Sequence, residues 1–215
     1  FLTASPLLLS TTAGRVMAEE SLDAIELPEF LITSPEEALD VFDFRAVAQY
    51  KLPPAHYGYI ATGTDGNETL SANRRAFEDI YLRPMRMVNT SAVSLETSLL
   101  GERLNSPIVL APVGSQKAFH PDAEIATARA ARAHDQLQIL SNVSSNSIED
   151  VIAARGKPVW FQLYPTDNWS VAQMMLQRAE NAGAQVVVLT VDLNSGSNRV
   201  LLERFIRPDD RDCSA

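Results

Sequence analysis

The chain has 215 residues, 46% of them hydrophobic and 21% charged, with a formal net charge of −9. That usage is ordinary for a globular protein large enough to bury a core, and it excludes an electrostatic nucleic-acid binder, which would carry a basic stripe. A single cysteine, Cys213, leaves no internal disulfide and no cysteine metal site, no other metal site is expected, and no run of about 18 apolar residues marks a membrane span.

Residues 1–18 combine an apolar stretch over 1–9, small residues over 10–14 and Val16-Met17-Ala18, which resembles the small-residue site preceding signal cleavage. They read either as the remnant of an export signal or as an arm packing on a partner, so exported (periplasmic) and cytoplasmic locations both stay open. Residues 19–40 are acidic and loop-like, which makes 1–40 an N-terminal arm.

A helical segment follows over 41–106. Ser34-Pro35-Glu36-Glu37 is a helix start, with a capping serine, proline in the first position and acids in the first turn. Asp43 is expected to cap a helix over 44–50, and Pro54 to open another that ends at Ile60. A turn over 63–66 precedes a helix over 68–77, with Leu70 and Phe77 on one side.

From residue 107 the pattern becomes one of short apolar strands alternating with helices. Strands are expected over 108–111, 138–141, 159–163 and 185–191. Helices are expected over 122–134, from a cap at Asn146 to Ala154, and over 170–181, the last ended by Gly183. Wholly apolar strands between helices mean a parallel sheet buried on both faces. Four such units fit a doubly wound sheet or half of a (β/α)₈ barrel, which needs about 250 residues when complete. Polar residues gather just past the strand ends: Gln116, Ser141, Asn142, Gln162, Tyr164, Thr190 and Asp192. Active sites are built there in barrels. A doubly wound nucleotide binder announces itself with G-x-G-x-x-G after the first strand, and this chain has Ala111-Pro112-Val113-Gly114-Ser115-Gln116 instead.

Several segments carry a family resemblance. They are Tyr57-Gly58-Tyr59-Ile60-Ala61-Thr62-Gly63, Asn73-Arg74-Arg75-Ala76-Phe77, Arg83-Pro84 and Pro107-Ile108-Val109-Leu110-Ala111-Pro112. They continue with Gln116-Lys117, His120-Pro121, Ala126-Thr127-Ala128-Arg129-Ala130-Ala131, Phe161-Gln162-Leu163-Tyr164 and Leu189-Thr190-Val191-Asp192. In this order and spacing the chain resembles the FMN-dependent 2-hydroxy acid oxidase/dehydrogenase family, from about Phe44 to about Phe205. The resemblance implies an α/β fold, a (β/α)₈ TIM barrel. This chain would supply its N-terminal helices and about the first four βα units, with 107–215 as the first half of the FMN-binding barrel, ending in the active-site loop.

The resemblance also implies roles. Tyr59 and Arg199 match groups that hold the substrate carboxylate, and Tyr164 matches the tyrosine near the substrate hydroxyl. Pro112, Val113, Gly114, Ser141, Gln162 and Thr190 match contacts to the flavin ring. Asp192 matches the carboxylate that pairs with a catalytic histidine. Val143 stands where many relatives carry a bulky aromatic, which suggests room for a larger or branched substrate. The family's catalytic histidine, flavin lysine, second substrate arginine and phosphate loops belong to later strands; His56, His120 and His134 do not replace the base. The implied activity is oxidation of an L-2-hydroxy acid to the 2-oxo acid, with electrons passed from FMN to O₂ or another acceptor. The implied partners are a second chain carrying the C-terminal half, in a cleaved two-chain enzyme, and further copies in a tetramer. A non-catalytic half-barrel subunit and an FMN barrel of another reaction type, such as an isomerase, are the alternatives.

Overall fold

The computed structural model describes residues 31–192 and 196–211. The expectations for residues 1–18 and for Cys213 lie outside the described residues. The chain divides into two compact units between Tyr50 and Lys51.

In the first unit the Ser34-Pro35 start opens only a 3₁₀ turn, Pro35–Glu37. The Glu37 carboxylate accepts hydrogen bonds from the backbone N–H and hydroxyl of Thr33, and these bonds hold its pKa below the usual value. Helix α1 (Asp43–Lys51) begins at Asp43 itself. The Asp43 carboxylate accepts from the N–H groups of Leu39 and Asp40, at 2.7 and 3.3 Å, and so ties down the chain that enters the helix.

The second unit opens with α2 (Pro54–Ala61), whose proline sits where a missing N–H is harmless. Helix α3 (Glu68–Arg75) follows a turn with positive φ at Asp65 and Asn67. It tightens into a 3₁₀ turn, Ala76–Asp79, so the helix expected to reach Phe77 ends its α-form two residues earlier. Strands β1 (Thr97–Leu99) and β2 (Glu102–Leu104) form an antiparallel hairpin. Its two loop residues, Leu100 and Gly101, have φ of 50° and 84°. Positive φ at both positions matches the twist of the strands they join.

Four βα-type repeats come next: β3 (Val109–Leu110), α4 (Ala123–Ala133), β4 (Leu137–Ser141), α5 (Ile148–Arg155), β5 (Trp160–Leu163), α6 (Trp169–Asn181), β6 (Val187–Leu189) and α7 (Val200–Ile206). The cap of α5 is Ser147, which accepts from the Asp150 N–H, and not the expected Asn146. The strands pair in parallel in the order β3-β4-β5-β6. A doubly wound sheet reverses its order at a switch point, whereas strictly sequential pairing is that of the first four strands of a (β/α)₈ barrel.

Alternation along each strand sorts the side chains onto two faces. Leu140, Phe161 and Leu163 face the helices and pack with Ala128, Ile148, Val151 and Ala179. Leu137, Ile139, Trp160, Val186 and Val188 face the other way, together with Val109 and with Leu104 from the hairpin. The hairpin therefore closes the floor of the half-barrel, at the N-terminal ends of the strands. The Trp160 indole N–H donates to the Glu102 carboxylate at 2.7 Å, which satisfies the one polar atom of that floor's largest side chain.

Two contacts outside the sheet generate tests. Helix α7 docks on α2, where a Cβ added at Gly58 would lie 2.5 Å from the Phe205 Cβ, and the Tyr57 and Phe205 rings meet edge to face at 5.8 Å. Gly58→Ala is expected to destabilise the protein by about 1–3 kcal/mol through forced displacement of α7, read as a lowered midpoint in urea unfolding. Arg178 on α6 binds the Glu149 carboxylate of α5 through two bonds of 2.9 and 2.8 Å, which lower the Glu149 pKa to about 2. A depressed carboxylate stabilises the folded state above its unfolded pKa, and that contribution fades as pH falls from about 4.5 towards 2. The pair is exposed, so Glu149→Gln should cost under about 1 kcal/mol at pH 7. The difference from wild type should vanish near pH 2 in a pH series of unfolding curves.

Candidate functional site

The barrel-facing row continues past the apolar floor into polar residues at the C-terminal strand ends. Ser141 is the last residue of β4 and pairs in register with Gln162 on β5. The Ser141 hydroxyl donates to Gln162 Oε1 at 2.8 Å, and Gln162 Nε2 donates to Thr190 Oγ1 at 2.8 Å. Thr190 lies two residues beyond Val188, the register partner of Gln162, and so projects from the same face. Three strands are thus bridged by one uncharged ladder. Gln162 is only 2% exposed, so its amide has to be bonded.

The β3–α4 and β4–α5 loops flank the ladder. In the first, Pro112 and Gly114 are half-buried and Val113 is exposed. A Cβ at Gly114 would lie 2.6 Å from Val143 Cγ2, so the glycine permits close approach of the two loops. The Ser115 N–H donates to the Val143 carbonyl at 2.9 Å. Asn142 accepts from the Tyr164 N–H at 3.1 Å and fixes the chain where β5 ends. Asp192, two residues past Thr190, is exposed.

A second cluster forms where α2 ends. The Arg199 guanidinium stands 4.7 Å from the centroid of the Tyr59 ring. Its Nη2 donates to the Tyr59 carbonyl at 2.6 Å and also to the Thr62 carbonyl. A cation there complements the carbonyl end of the helix dipole. Asn198 secures the approach: its carbonyl accepts from the Asp65 N–H at 2.7 Å and its amide donates to the Asp65 carboxylate at 2.8 Å.

Of the residues singled out by sequence, Ser141, Gln162 and Thr190 are bonded in one ladder, Tyr59 and Arg199 in one stack, and Gly114 touches Val143. Among the described residues no hydrogen bond joins the ladder to the stack. His56 binds the Ala118 carbonyl through Nδ1 at 2.6 Å, and His120 accepts from the Asp122 N–H at 3.2 Å; both are occupied in holding backbone. Sequence reasoning missed Glu124, a buried acid on α4 that binds both flanking loops. An acid in a first helical turn is an ordinary dipole partner, so only the folded chain reveals its position. It also missed Thr62, whose carbonyl helps hold Arg199 at the end of α2.

The ladder suits a flavin ring. Each of its groups is uncharged, and each keeps a donor or acceptor beyond the bonds that link it to its neighbours. Such a mixed edge matches the alternating carbonyl and N–H groups of the ring's pyrimidine side.

Comparison with known proteins bears on the family and the fold. Residues 48–208 match the model of the FMN-dependent dehydrogenase family. The chain is 37% identical over 174 residues to glycolate oxidase 1 of Zea mays, covering 80% of this chain and 47% of that enzyme. It is 36% identical over 174 residues to the glycolate oxidase of Spinacia oleracea, again over 47% of the relative. Among solved structures, mandelate oxidase superposes with a TM-score of 0.71 at 33% identity, over 75% of this chain and 47% of that one. The chain thus spans about half the length of the relatives it matches.

Replacing Gln162 with leucine keeps the approximate volume and deletes both ladder bonds. The variant is expected to lose about 1–3 kcal/mol of stability, because the Ser141 and Thr190 hydroxyls lose their shared partner. Chemical denaturation compared with wild type checks the loss.

Proposed function

Because the chain belongs to the FMN-dependent dehydrogenase family, we propose that it supplies one half of the active site of a flavoprotein that oxidises an L-2-hydroxy acid to the 2-oxo acid. The observation that carries this reading is the Arg199–Tyr59 stack. Nη2 is held by the carbonyls of Tyr59 and Thr62 at the end of α2, and among the described residues Nε and Nη1 carry no hydrogen bond. A guanidinium held over the face of a phenol ring offers three N–H donors, the phenol adds one O–H donor, and a carboxylate accepts such donors in pairs.

In this reading Ser141, Gln162 and Thr190 would hold the polar edge of the flavin, and the backbone of Pro112, Val113 and Gly114 would lie against its ring. When bound, FMN supplies the two-electron acceptor. Tyr59 and Arg199 bind the substrate carboxylate, and Tyr164 presents its phenol to the substrate hydroxyl. Asp192 accepts a hydrogen bond from the histidine base and stabilises its imidazolium form once the substrate proton has moved. Val143, exposed beside Gly114, stands where many relatives carry a bulky aromatic, and the smaller side chain favours a larger or branched substrate.

The base, the second substrate arginine and the phosphate-binding loops come from the remaining strands, carried by a second chain in a cleaved two-chain unit that assembles further into a tetramer. Support comes from the surfaces left open. Val187 and Leu189 on the outer face of β6 are 49% and 54% exposed, and Phe77, Tyr81, Leu82, Met85 and Met87 are exposed as well. Apolar area and strand edges of this kind are what a partner covers.

Mass spectrometry of the purified protein should show a companion of similar or slightly smaller size. The material should absorb as an oxidised flavin and bleach when a 2-hydroxy acid is added without oxygen. Arg199→Met should lower kcat/KM about 10- to 100-fold through loss of charge-assisted bonds. A colourless protein with no companion, or one that does not bleach, contradicts the proposal.

A further inference from the structure

We infer that Glu124 is the positioning residue of the flavin-facing mouth, a buried carboxylate that locks the β3–α4 and β4–α5 loops against each other; its relevance to flavin rests on the function proposed for the chain. Glu124 lies in the first turn of α4 and is 0% exposed. Its Oε1 accepts from the N–H groups of Gln116 at 3.2 Å and Ser145 at 2.9 Å, and its Oε2 accepts from the Asn146 N–H at 3.1 Å. None of these donors belongs to its own helix.

A buried charge is tolerated only when it is bonded, and among the described residues its hydrogen bonds all come from two loops. Neither loop can drift without uncovering the carboxylate. Other contacts reinforce the same arrangement. Lys117 N–H donates to the Ser145 hydroxyl at 3.2 Å, and the Thr127 hydroxyl of α4 donates to Gln116 Oε1 at 2.8 Å. Ser115 adopts φ of 50°, a left-handed conformation that persists only when its surroundings hold it. The residue after it, Gln116, is one of those Glu124 binds. Through these contacts Glu124 sets the distance between Gly114 and Val143, and hence where Val113, Gly114 and Ser141 stand relative to one another.

The test uses the assembled protein with its flavin removed, titrated with FMN, and amide hydrogen exchange of the same material. In Glu124→Gln the new NH₂ faces a backbone donor, so one of the three loop bonds is lost. FMN Kd should rise about tenfold, and exchange at Gln116, Ser145 and Asn146 should accelerate by at least about the same factor. Glu124→Asp keeps the charge but is one methylene short, and should show the same two changes. Val151→Ala removes core volume on α5 without touching either loop. It should lower the thermal midpoint and leave FMN Kd and the three amides at wild-type values. The inference is overturned if Glu124→Gln matches wild type in both readouts, or if Val151→Ala shifts both as far. If wild-type protein takes up no FMN, the proposed function fails, while the exchange arm still decides whether the clamp exists.

Discussion

A side chain buried in the middle of a parallel sheet has no water to turn to, and Gln162, only 2% exposed, sits in that position. Its amide is bonded on one side to a hydroxyl from β4 and on the other to a hydroxyl past β6. This ladder constrains everything around it. It requires β4, β5 and β6 to keep the register that places Ser141 opposite Gln162. It also converts the apolar stack of Leu137, Ile139, Trp160 and Val188 into a polar rim within one or two residues of strand. The floor supplies burial, and the rim supplies the groups that can recognise a ring.

Two further devices act on that rim from outside the sheet. Glu124 reaches from a helix to bond the two loops in which Gly114 and Val143 approach each other. Arg199 closes the carbonyl end of α2, and the docking of α7 through Gly58 and Phe205 holds that corner together. The same residues that satisfy buried or terminal polar groups therefore orient the groups to which recognition is assigned.

Much of this was legible in the sequence. The central strands β4 and β5 and the helices α4 and α6 were expected within about a residue of their ends, because both periodicity and turn residues marked them. The outer strands were expected to be longer: 108–111 shrinks to Val109–Leu110 and 185–191 to Val187–Leu189. Among the described residues each pairs with one neighbour only, so its ladder ends sooner. The β1–β2 hairpin carries no Asn-Gly or Asp-Gly signal; Leu100 takes a positive φ that its residue type does not advertise. Asn146 and Ser147 are both good caps by type, and only the path of the chain decides for Ser147. The site residues at the strand ends were named through the family resemblance, and alternation along the strands puts Ser141, Gln162 and Thr190 on one face. Glu124 could not, because its partners lie 8 to 22 residues away along the chain.

The most direct test of the central claim is an experimental structure of the assembled protein with FMN and a 2-hydroxy acid. The Gln162 amide should lie at about 3 Å from the polar edge of the flavin ring, with the Ser141 and Thr190 bonds intact and Arg199 and Tyr59 on the substrate carboxylate. A ring bound away from the ends of β4 and β5, or a Gln162 amide with no contact to it, would contradict the account.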